Sequence, residues 1–96
     1  MKHVFVIYGP PATGKTQLTK LLRKDESILV IDDYIDNMVE VFNTIHIIQT
    51  TKASNIIIVT NICPDNLILE ISGLDDTNLS VIEFTANQGD KEIFWP

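Results

Sequence analysis

The chain has 96 residues, 45% of them hydrophobic, with a mean hydropathy of +0.15. That composition suits one compact domain over residues 1–96 and excludes wholesale disorder, and no apolar run nears the roughly 20 residues of a membrane span. Thirteen acidic residues against seven basic ones give a net charge of −6, so a lone copy lacks the electrostatic footprint for nucleic acid.

The first element is "HVFVIY", a continuous β-branched and aromatic run expected of a parallel strand buried on both faces. Lys2 ahead of it is reminiscent of a signal peptide, but the apolar part is too short for one. "KTQLTKLLRK" places Leu18, Leu21 and Leu22 on one helical face, with Lys20, Arg23 and Lys24 at the end that suits cations. "SILVI" reads as a second buried strand ending in Asp32 and Asp33. "DNMVEVFNTIHIIQT" reads as a helix packed through Ile35, Met38, Val39, Phe42, Ile45 and Ile48, although "IHII" is β-prone. "NIIIVTN" is a third buried strand. "PDNLILEIS" is a helix with Pro64 at its first position and Gly73 at its exit, and "LSVIEFT" is a fourth strand.

Strands alternating with helices predict an α/β fold of three layers around a parallel sheet with right-handed crossovers. The expected order places "LSVIEF" at one edge, then "HVFVIY", "NIIIVT" and "SILVI", which is 4-1-3-2 in chain numbering. The tail "EIFWP" is apolar enough to pack on the sheet through Phe94 and Trp95, or to contact another subunit. The single cysteine, Cys63, excludes an internal disulfide and fits a reducing cytoplasm. It has no histidine partner in a recognisable arrangement, and His3 and His46 show no metal-ligand spacing.

Between the first strand and the first helix stands "GPPATGKTQ", in which Gly9 and Gly14 enclose four residues and precede Lys15 and Thr16. The spacing is that of a phosphate-binding loop, G-x-x-x-x-G-K-[ST]. Gly9 and Gly14 permit backbone conformations that aim successive N–H groups at phosphate oxygens, and the helix N-terminus adds positive potential. Pro10 and Pro11 stiffen the approach; Ala12, Thr13 and Gln17 complete the nucleotide-binding stretch. Lys15 is expected at the β- and γ-phosphates and the Thr16 hydroxyl on Mg²⁺. The alternative is a chance Gly-Lys-Thr turn, but the strand before it and the amphipathic helix after it supply the confirming context.

Two strand ends add candidates at the carboxyl edge, where open α/β sheets bind ligands. Asp32 is the expected Mg²⁺ carboxylate and Asp33 the group that polarises an attacking water, unless Asp33 or Asp36 only caps the next helix. Asn61, at the end of the third strand, is expected to orient water near the γ-phosphate. Its alternative role is a turn-forming residue before "CPD".

Taken together, "GPPATGKT", "ILVIDD" and "IIIVTN" resemble the ATPase core of superfamily-three helicases, the viral and plasmid replication-initiator enzymes of the additional-strand, catalytic-glutamate (ASCE) class of P-loop ATPases. "NLSVIEF" resembles the strand that follows that family's arginine segment. The resemblance covers most of the chain, and only the phosphate loop is highly specific. It implies ATP as substrate, Mg²⁺ bound through Thr16 and Asp32, and catalytic roles for Lys15, Asp33 and Asn61. It also implies action in a homo-oligomer or a replication or packaging assembly, in the host cytoplasm if the chain is viral. Departures are clear: only "DESI" separates the first helix from the acidic strand, "QTTKAS" replaces the family's DNA-contacting hairpin, and "GLDDTNLS" offers no arginine finger. The chain resembles a stripped-down ATPase core, expected to bind ATP and turn it over slowly. A nucleoside or nucleotide kinase is the second reading, since "GPPATGKT" resembles their loops too, but such enzymes clamp phosphates with arginines and this chain has only Arg23. A non-hydrolysing nucleotide-dependent switch is the third.

Overall fold

Side chains branched at Cβ favour the extended backbone, and four such runs become strands. The computed structural model describes residues 1–10 and 27–84. In chain order these form β1 (Lys2–Tyr8), β2 (Ile28–Ile31), α1 (Met38–Thr50), β3 (Asn55–Thr60), α2 (Asp65–Ser72) and β4 (Thr77–Glu83). The expected "KTQLTKLLRK" helix and the "EIFWP" tail lie outside the described residues.

The strands form one parallel sheet in the order β2-β3-β1-β4, as the sequence led us to expect. Registers pair His3 with Asn55 through Tyr8 with Thr60, Lys2 with Thr77 through Tyr8 with Glu83, and Ile28 with Asn55 through Ile31 with Ile58. Alternation across the pleat then divides the apolar side chains between two faces. Val4, Val6, Ile56 and Ile58 pack with Val41 and Ile48 of α1 and with Leu67 and Ile71 of α2. Both described helices therefore cover the same face. Ile7, Ile57, Val59 and Phe84 form a second buried cluster on the other face, with Phe5, Ile28 and Val30 packed against it. The central strands β1 and β3 thus bury apolar side chains on both faces, the pattern of an interior parallel strand. β2 was expected to be buried as they are, but as an edge strand it is only half-buried along its length.

The helix α1 departs further from expectation. It runs unbroken through "IHII" to Thr50, so the β-prone segment stays helical. Its buried residues are Val41, Thr44 and Ile48, with Ile45 packed behind them, an i, i+3, i+4, i+7 stripe. Ile35, Met38, Val39 and Phe42, expected to face the core, are exposed. The polar Thr44 in the true inner stripe disguised it, while a more apolar stripe lies about a quarter turn round the helix. In α2, Pro64 sits one position earlier than expected, at the N-cap, and Gly73 closes the helix with an ordinary φ of −90°.

Candidate functional site

The carboxyl ends of β1, β2 and β3 converge on one edge of the sheet. Beyond Tyr8, the Gly9 N–H donates to the Thr60 carbonyl (3.2 Å), and the Phe84 N–H donates to the Tyr8 carbonyl (2.7 Å). Gly9 is thus held between β3 and the end of β4. A Cβ built there would lie 2.3 Å from the Phe84 carbonyl oxygen, which no real side chain tolerates. Conformational freedom was the expected reason for glycine here. Instead its φ lies outside the left-handed region, and the requirement is one of space. Pro10 follows, exposed; Pro11, Ala12, Thr13, Gly14, Lys15, Thr16 and Gln17 lie outside the described residues.

At the end of β2 the backbone turns sharply. Asp33 adopts a positive φ of 57°, a conformation that Asp tolerates better than most residues, and its N–H donates to Asp32 Oδ1 (2.8 Å). The chain then crosses the top of β3. The Tyr34 N–H donates to the Val59 carbonyl (3.0 Å), and the Thr60 hydroxyl donates to the Tyr34 carbonyl (2.8 Å). These two bonds fasten the acidic turn over the neighbouring strand, so its position does not depend on loop length alone.

Asp36 has a role that sequence reasoning missed. It accepts the Tyr34 phenol at Oδ1 (2.9 Å), the Leu67 N–H at Oδ1 (3.1 Å) and the Asn66 N–H at Oδ2 (3.0 Å). It therefore caps α2, about thirty residues away, and not the helix that follows it. That next helix is capped by Asn37, whose Oδ1 accepts the Glu40 N–H (2.9 Å). Asp33, whose alternative role was a cap, caps neither. No local signal identifies Asp36, since a cap contributed from another segment leaves no spacing rule in the sequence.

A cavity of about 640 Å³ opens at this edge. Asp33, Tyr34, Ile35 and Asp36 wall one side, and Thr60, Asn61, Ile62 and Cys63 the other. The structure thus brings together Asp33 and Asn61, two of the residues singled out in the sequence, and sets Gly9 next to them through Thr60. Asp32 is half-buried and does not line the cavity. Among the described residues, no three of His, Cys, Asp and Glu converge as a metal cage. The proposed Mg²⁺ site needs fewer protein ligands than that, because Mg²⁺ keeps waters and substrate phosphates, and its other predicted ligand, Thr16, lies outside the described residues.

Three weakly acidic groups at this edge, Tyr34, Tyr8 and Cys63, are raised from their ordinary values. Loss of solvation and the hydrogen bond donated to Asp36 push the Tyr34 phenol well above its ordinary value. Desolvation, then the charge of Glu83, raises Tyr8. Desolvation, then the bond to Asp65 Oδ1 (3.3 Å), raises the Cys63 thiol, which argues against a nucleophilic thiolate. His3 belongs to the opposite end of the sheet, bonded to the Ser80 hydroxyl (2.9 Å) and stacked on Phe5 with ring centroids 4.2 Å apart.

Comparison with known proteins found no matching family model, no similar curated protein and no similar solved structure.

Proposed function

We propose that the chain is a minimal P-loop NTPase that binds ATP with Mg²⁺ and hydrolyses it slowly, acting within an assembly. The observation that carries this reading is the strand order. A G-x-x-x-x-G-K-T segment leaves the end of β1, Asn61 ends the adjacent strand β3, and the Asp32-Asp33 turn ends β2 one strand further out. Each residue then has a task in this reading. Lys15 contacts the β- and γ-phosphates, and Thr16 with Asp32 would hold the metal, which supplies charge neutralisation on the phosphates when bound. Asp33 and Asn61, on facing walls of one cavity, position and polarise the attacking water.

Slow turnover follows from the shortage of cations. An arginine finger contributes roughly 10³ to 10⁵ in rate, and P-loop enzymes without one idle near about 10⁻⁴ s⁻¹. The chain has one arginine, Arg23, which lies outside the described residues. Lys52 is a weaker, non-bidentate substitute.

The test is thermal. Saturating ATP with Mg²⁺, at about 100 times its dissociation constant, adds roughly 2.7 kcal/mol and raises the melting temperature. Lys15→Ala abolishes that rise, and Asp33→Asn keeps it while removing turnover. No shift of the parent protein at millimolar nucleotide overturns the reading.

One observation favours a second reading, phosphoryl transfer to a small acceptor. The cavity beside Asn61 is far larger than the roughly 30 Å³ that one water occupies. Among the described residues its lining holds two carboxylates, Asp33 and Asp36, and no lysine or arginine, which suits an uncharged acceptor such as a nucleoside over a nucleotide. Transfer of the terminal phosphate to an added nucleoside, in place of phosphate release, selects this reading.

A further inference from the structure

The hydrogen bonds at the carboxyl edge use up most of the polar groups that line its cavity. The Tyr34 phenol donates to Asp36, and both Asp36 oxygens also hold the start of α2. The Thr60 hydroxyl donates to the Tyr34 carbonyl, and the Cys63 thiol to Asp65. Two polar side chains are left over. Neither the Asp33 carboxylate nor the Asn61 amide has a hydrogen-bond partner among the described residues, and both residues are exposed. The apolar lining is exposed as well: Ile35 on one wall by 66% and Ile62 on the other by 78%. Single exposed apolar side chains are normal on a surface. Two that flank one cavity, each beside an unengaged polar group, have the make-up of a small-molecule site. The volume of about 640 Å³ suits one, since such sites span about 300–1,000 Å³.

This inventory defines what a ligand must bring. Two branched aliphatic side chains suit the faces of a flat ring, which apolar walls can hold without directional bonds. A free carboxylate only accepts, so it calls for donors, and its two oxygens match two neighbouring hydroxyls. An amide both donates and accepts, which matches the edge of a heterocyclic base. With two carboxylates and no cation among the described lining residues, an anionic ligand is disfavoured. A ribonucleoside brings the flat base, the adjacent hydroxyls and no charge.

We propose that this cavity is a ribonucleoside site in which Ile35 and Ile62 clamp the base, Asn61 reads its edge and Asp33 accepts the ribose cis-diol. The inference rests on the second reading above for the fate of the nucleoside, and there Asp33 holds the acceptor, not a water. Binding itself uses no phosphate-loop residue.

Isothermal titration calorimetry of adenosine and of uridine with the full chain tests the site. At least one is expected to bind saturably. Its 2′,3′-dideoxy analogue should bind about tenfold more weakly or worse, because a site built to pair with hydroxyls is then left unpaired. Asp33→Asn should lose most of that discrimination. Ile35→Ser/Ile62→Ser should weaken the nucleoside by about tenfold or more yet melt where the parent does, since both side chains are exposed. Leu69→Ser, at an exposed position on α2, leaves the affinity unchanged. Lys15→Ala protein should bind the nucleoside as the parent does, and so should the parent saturated with a non-hydrolysable ATP analogue and Mg²⁺. The nucleoside 5′-monophosphate should bind more weakly than the nucleoside. Nucleoside binding without phosphate transfer would end the second reading and leave the site standing. The proposal is overturned if neither nucleoside binds, if the dideoxy analogue or the monophosphate binds equally well, if the double variant binds undiminished, or if the ATP analogue displaces the nucleoside.

Discussion

The two described helices, packed side by side on the sheet, are organised from opposite directions. α1 carries its own start signal: Asn37 caps it and accepts the N–H of Glu40, three residues on. α2 has no side-chain cap from its N-cap residue, Pro64, and takes one from Asp36, a residue that precedes α1. Their apolar faces are reversed in the same way. α2 buries Leu67 and Ile71, one turn apart, whereas α1 buries the stripe containing Thr44 and exposes the one containing Phe42. A helix can thus be locally well started and yet take its orientation wholly from what it packs against.

Substitutions can break this contrast in graded steps. The largest effect is expected at Leu67, fully buried between α2 and the sheet: Leu67→Ala should cost about 2–5 kcal/mol in urea unfolding. Asp36→Ala should follow, at about 2–3 kcal/mol, because it strands two backbone N–H groups at the start of α2 and removes the acceptor of the Tyr34 phenol. Asn37→Ala removes one cap bond from α1 and should cost about 1 kcal/mol. If Asp36→Ala proves no worse than Asn37→Ala, the long-range cap is a contact without energetic weight. Phe42→Ala, on the outward stripe, should change stability by less than about 0.5 kcal/mol. A core-sized loss there would mean that Phe42 is inside after all.

A pH titration sharpens the Asp36 side of the comparison. The Tyr34 phenol is held protonated in the folded state, so its contribution is complete below the ordinary tyrosine value of about 10 and is lost as pH rises above it. Tyr8, raised in the same direction, adds to that loss. Unfolding midpoints of the parent protein should therefore fall between about pH 9 and pH 11. Tyr34→Phe should start lower, having lost a hydrogen bond, and fall less steeply. Parallel curves for the two proteins would sever the link between Tyr34 and that decline.

Much of the framework was legible before any coordinates. Four β-branched runs separated by helical patterns determined the strands and the parallel α/β class, and their order in the sheet followed expectation. This holds because strand identity rests on side-chain shape and apolar run length, both local properties. Gly9, Asp33 and Asn61 were legible as candidates for the same reason, each standing at the end of a recognisable strand. Only tertiary structure decided the rest. Which stripe of α1 faces the sheet depends on the summed packing of both stripes against β1 and β3, where a buried Thr44 costs little and an exposed Phe42 is tolerated. That Gly9 is required by the Phe84 carbonyl, and that Asp36 caps a helix about thirty residues away, are facts of through-space distance. No spacing along the chain encodes them.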